Sequence, residues 1–159
     1  MASARPYHVA QLNWAILKDD WGTPAVSGFE DNLERLSLIA ERTGGLIWRM
    51  SDDEIEADLL NMDHRLAKEP RAAITLSVWD SEKSLNNFVH NTVHGSFLRR
   101  RADWFVKQAG PTYVIWPVPV GHRPTLSEAM QRLVTLGVKG PTSEAFDFTW
   151  LRTRAEPAE

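Results

Sequence analysis

Apolar and polar residues alternate over residues 8–17, HVAQLNWAIL. A period of two is the signature of a strand. One face carries Ala10, Leu12, Trp14 and Ile16, and the other carries Val9, Gln11, Asn13 and Ala15. The same period returns at 46–50 (LIWRM), 72–79 (AAITLSVW) and 112–120 (TYVIWPVPV). Over 72–79, Ile74, Leu76 and Val78 form one side while Thr75, Ser77 and Trp79 form the other. Polar side chains on a bare face meet water. On a covered face they need partners, which makes Gln11 and Asn13 candidate ligand contacts.

Between these segments the apolar spacing lengthens to that of a helix. Phe29, Leu33, Leu36 and Ala40 recur through 29–42, and Gly44-Gly45 supplies the left-handed backbone that ends a helix. The longest such pattern is 82–107, EKSLNNFVHNTVHGSFLRRRADWFVK, with Asp80 or Ser81 as its cap. A last helix starts after Thr125 and stops at Gly140-Pro141. Phe146, Phe148 and Trp150 alternate over 145–151 and predict a short fifth strand, with 152–159 expected as a disordered tail. Residues 51–70 form an acidic insertion, with Asp52, Asp53, Glu54, Glu56 and Asp58 close together. Charge blocks of this kind predict a solvated excursion, partly helical over 53–67. Its carboxylates lack the spacing and glycine of a calcium loop.

The order of segments predicts one α+β domain over 1–151. The expected architecture is a ferredoxin-like sandwich: a four-stranded antiparallel sheet in the order 4-1-3-2, helices on one face, then the C-terminal helix and short strand. Pro117 and Pro119 cannot donate to a ladder, which suits a fourth strand at the edge. The opposite face of such a sheet is bare, and the simplest cover for it is a second copy. A homodimer joined sheet to sheet is therefore expected.

Composition narrows the function. The net charge of −3 argues against nonspecific nucleic-acid binding, which needs a basic surface. With no cysteine, the chain has no disulfide, thiolate nucleophile or cysteine-ligated metal centre. MASARPYH is too short and polar for a signal peptide, and no apolar run approaches the ~18 residues of a membrane span. A cytoplasmic location is expected. The seven tryptophans mark an aromatic core or an aromatic pocket.

His90 and His94 lie one above the other on the longest helix, and Phe97, Arg101 and Trp104 fall near their stripe. Four readings are open. The pair can ligate a metal, although HNTVH lacks the glutamate of the HExxH zinc motif. One histidine can be an axial haem ligand, with aromatic walls and arginines for the propionates. His94, with Gln11, Asn13 or Arg101, can move a proton or orient an organic substrate. Or the histidines are structural. Trp79, Trp104 and Trp116 are core or pocket wall, and His122, in the GHRP turn, can reach a pocket mouth.

HVAQLNWAIL, LSVWDSEKSLNNFVHNTVHGSFLRRRADWF, WPVPVGHRPTLSEAMQRL and GPTSEAFDF, in that order, resemble a bacterial family of unknown function. The resemblance covers about residues 7–149 and places the chain in the dimeric α/β-barrel superfamily, beside antibiotic-biosynthesis monooxygenases. It implies a homodimer and a pocket between sheet and helices. Superfamily members include cofactor-free monooxygenases, haem-degrading enzymes, chlorite dismutase-like haem proteins and stress-response proteins. None of their catalytic motifs is present residue by residue. The family's own motif residues here are Gln11, Asn13, Trp79, His94, Arg101, Trp104 and His122. The acidic insertion goes beyond the minimal barrel and is a candidate lid for the pocket or an extension of the dimer interface.

Together these readings predict a monooxygenase-like enzyme acting on an apolar or aromatic organic substrate, with no cofactor assumed. Gln11, Asn13 and His94 are the expected catalytic groups. Trp79, His90, Phe97, Arg101, Trp104, Trp116 and His122 are the expected substrate contacts. Without a cofactor the substrate itself must supply electrons to oxygen, so an electron-rich phenolate is expected. The alternatives are a haem-binding protein and a non-catalytic ligand-binding or stress-response dimer.

Overall fold

The computed structural model describes residues 7–91 and 99–155. Its strands are β1 (Tyr7–Ile16), β2 (Leu46–Arg49), β3 (Ala72–Trp79) and β4 (Tyr113–Pro119). Its helices are α1 (Ser27–Thr43), α2 (Asp52–Leu60), α3 (Glu82–Asn91), the single turn α4 (Arg101–Trp104), α5 (Leu126–Lys139) and α6 (Phe148–Ala155). The strands form one antiparallel sheet in the order β2-β3-β1-β4, the expected 4-1-3-2 read from the other edge. Pro117 and Pro119 sit in the edge strand β4, where a missing N–H leaves no ladder bond unmade.

The register sorts side chains cleanly. Gln11 lies opposite Ser77 and Ile115, and Asn13 opposite Thr75 and Tyr113, so the polar alternation of two strands converges on one face. The other face gathers Ala10, Leu12, Trp14, Leu76, Val78, Val114 and Trp116.

The second face is where expectation and structure part. It is covered within the chain. Met130 and Leu136 of α5, Ile55 of α2 and Leu66 all belong to the core built on it. Helices therefore lie on both faces of the sheet. The bare face that favoured a sheet-to-sheet homodimer is filled by the chain's own residues.

The acidic insertion is folded rather than a loose excursion. Ser51 and Glu54 form a reciprocal capping box at the start of α2. Ile55 and Leu66 are 8% and 2% exposed, while Asp52, Asp53, Glu54 and Glu56 face outward. The Asp58 carboxylate accepts the Leu126 N–H at 3.2 Å, tying the insertion to α5. The insertion lies across the sheet from the polar face, so it does not lid a pocket there.

Other expectations hold locally. Ser81 Oγ accepts the Ser84 N–H, and Thr125 Oγ1 accepts the Glu128 N–H. Gly44 and Gly45 take φ of 86° and 87°. The long helix does not reach Lys107: Phe105 is extended, bridges Leu17, and packs edge-on to Phe29 at 4.9 Å. The fifth strand reduces to two isolated bridges, Phe146 to Ile115 and Ala145 to Thr142. From Phe148 the chain is helical to Ala155, where a strand end and loose tail were expected. Asp147 starts that helix by accepting the Trp150 N–H at 2.9 Å.

Candidate functional site

The polar face of the sheet forms the floor of a cavity of about 200 Å³. Gln11, Asn13, Thr75 and Ser77 supply the floor, and Leu33, Leu36, Ser37 and Ala40 of α1 the roof. Trp79 stacks on Phe88 at 5.1 Å on one side. Phe29 and Phe105 close the other. Ser77 Oγ accepts the Trp79 indole N–H at 3.0 Å, and Arg49 donates to Ser37 Oγ at 2.6 Å.

Gln11 is the polar residue of the described core: 6% exposed, with an amide that meets no hydrogen-bond partner among the described residues. That amide is not sealed from solvent, whereas His8 Nδ1 is the described buried side-chain atom that lacks a partner. The Gln11 amide lines the cavity, where a ligand or water can satisfy it.

A second, wider cleft of about 580 Å³ adjoins the first. Gln11, Asn13, Arg101 and Thr112 line both. The outer cleft adds His90, Arg99, Tyr113, Phe148 and Arg152. Tyr113 Oη accepts the Phe148 N–H at 3.1 Å. Burial pushes the Tyr113 phenol above its ordinary range; the Phe148 bond opposes this, Asp147 adds to it, and Arg152 and Arg101 oppose it. The His90 ring lies edge-on to Phe148 at 4.7 Å.

The structure thus brings together Gln11, Asn13, Trp79, His90 and Arg101. His94 and Phe97 lie outside the described residues. Trp104 is buried with Leu17, Val26 and Phe29, beside the cavity rather than in it. Trp116 and His122 are on the opposite side of the sheet. There Glu128 binds both, accepting the Trp116 indole N–H at 3.0 Å and meeting His122 Nε2 at 2.7 Å. They serve the start of α5, not the cavity.

Several lining residues escaped the sequence reading. Arg49 had a signal, since it alternates with Trp48 in LIWRM. Tyr113 sits on the Gln11 side by register alone. Arg152 falls in the segment expected to be a loose tail. Among the described residues no group of three or more His, Asp or Glu is placed to hold a metal ion. A haem would need an imidazole with cations for its propionates. The outer cleft offers those donors as His90 with Arg99, Arg101 and Arg152.

Residues 8–158 match the model of a family described as a domain of unknown function (DUF3291), and the chain belongs to that family. No curated protein matches it. Among solved structures it is similar to the NE2512 protein of unknown function from Nitrosomonas europaea, with 9% identity and a TM-score of 0.47. That likeness covers 75% of this chain and 94% of the other. No helix among the described residues is long and apolar enough to cross a membrane.

Proposed function

We propose that the protein binds a small organic molecule with an aromatic body in the cavity between the sheet and α1, and oxidises it in a monooxygenase-like reaction. The observation that carries the binding reading is an aromatic-walled cavity whose floor is polar, with the Gln11 amide opening onto it and making no hydrogen bond among the described residues. A cavity of about 150 Å³ with apolar walls admits benzene, so about 200 Å³ accommodates one substituted ring. The oxidation rests on the resemblance to the dimeric α/β-barrel monooxygenases.

The chemistry available in the inner cavity is orientation and charge stabilisation. Gln11 and Asn13 can donate amide N–H groups to a phenolate oxygen, and the Arg101 guanidinium favours the ionised phenol. The electrons for dioxygen come from the substrate. Conversion of an activated ring methylene to a carbonyl balances: one oxygen atom is retained, and the other leaves as water with the two hydrogens.

The test is oxygen consumption and NMR titration with a panel of phenols and quinols, using the wild type, Gln11→Leu and Asn13→Leu. Binding and oxygen uptake that both fall in the variants are the expected result. Binding without uptake of oxygen favours the non-catalytic ligand-binding reading, and no binding by any member overturns the cavity reading. Absorption spectra with added haemin run alongside. His90 at the wider cleft favours haem as a second reading, and a saturating Soret band lost in His90→Ala would put it first.

A further inference from the structure

The protein carries more acid than base, 21 Asp and Glu against 18 Lys and Arg. Its cavity does the reverse. Arg49, Arg99, Arg101 and Arg152 line the two joined spaces, and no described lining residue is a carboxylate. The arginine run at 99–101 divides by role. Arg100 pairs with Asp103 at 3.3 Å and lies over the Trp104 ring. Arg101, next to it, has no carboxylate partner and makes no hydrogen bond among the described residues, and it lines both spaces. Arg152 reaches the same cleft from α6, and its one described side-chain bond is to Thr149 Oγ1 at 3.3 Å. The acid close to this group is Asp147, which acts on Tyr113 but has one oxygen committed to the Trp150 N–H.

We propose that the substrate is an aromatic acid, with its ring in the inner cavity and its anionic head at the junction with the outer cleft, held by Arg101 and Arg152. This rests on the ligand-binding reading above and adds the charge of the ligand to it. Planar guanidinium groups match a carboxylate with paired hydrogen bonds. Gln11, which lines both spaces, stands between ring and head and gives the ligand its orientation.

The test compares 3-phenylpropanoate with 3-phenylpropan-1-ol, which differ in the charged group alone, and with inorganic phosphate, which has no ring. Binding is followed by NMR titration. The acid should bind at least about tenfold more tightly than the alcohol, equivalent to about 1.4 kcal/mol. Arg101→Gln and Arg152→Gln should each remove most of that preference, lowering the acid's affinity far more than the alcohol's. Arg123→Gln, over Trp48 on the other side of the sheet, is the control for net charge. Equal binding of acid and alcohol, unaffected by the arginine variants, would overturn the anion inference and leave the cavity reading standing. Phosphate binding as tight as the acid's would reduce the site to a simple anion contact and also overturn it. Binding of none of the three would overturn both.

Discussion

Gln11 holds a position that stability alone would give to an apolar residue. It sits in mid-sheet between Ser77 and Ile115 and is almost wholly buried. Leu has a similar volume and no unmet hydrogen bonds. Gln11→Leu should therefore change stability by less than about 1 kcal/mol in urea unfolding while weakening ligand binding. A larger loss of stability would show that the amide has a protein partner. Tyr113 makes a second prediction, in pH. Its phenol is raised in the folded state, chiefly by burial. The unfolded chain releases that proton first, from a value of about 10. The contribution is thus fully present below pH ~10 and is lost as pH rises through the folded value. Alkaline unfolding of Tyr113→Phe should show a shallower decline above pH ~10 than that of the wild type.

Among the elements, α2 shows how charge density conceals packing. Four acids point outward from it while Ile55 points in, and Leu66 follows from the turn beyond. Ile55, Leu59, Met62 and Leu66 all pack on the core at helical spacing, a periodicity that the surrounding charge hides. The capping box was legible as Ser51 and Glu54 three apart, and it marks the start of the helix. Ser51→Ala should cost about 1 kcal/mol, and Leu66→Ala about 2–5 kcal/mol, measured by denaturant unfolding. A near-neutral Leu66→Ala would mean that the insertion is not part of the core. The strands read more easily, because a period of two names both faces at once. The polar side of β1 and β3 is legible in the alternation, but that it is a covered cavity floor rather than a solvated face depends on α1, which no strand pattern specifies. The roof and the arginines across it come from separate elements, and no local pattern joins Arg101 to Arg152.

For the whole molecule, the consequence of helices on both faces is self-sufficiency of the sheet. The Leu12, Leu76 and Trp116 surface is fully buried inside one chain. A second copy can use it only by displacing α5. A homodimer must therefore join through another surface, and sedimentation at micromolar concentration, which separates one 18.0 kDa chain from two, measures whether it forms.

The two apolar clusters beneath α1 are separate. Phe29, near one end, packs with Leu17, Val26 and Trp104, while Ala40, near the other, packs with Trp79, Leu85 and Phe88. Between them the helix crosses the cavity, as a beam resting on two piers. A helix supported in this way opens at lower cost than one seated along its whole length. The amides of Leu33 to Ser37 should exchange their hydrogens with solvent sooner than those of α5, and a molecule bound beneath them should slow that exchange. The middle of α1 is thus a gauge of occupancy, readable before any substrate has been turned over.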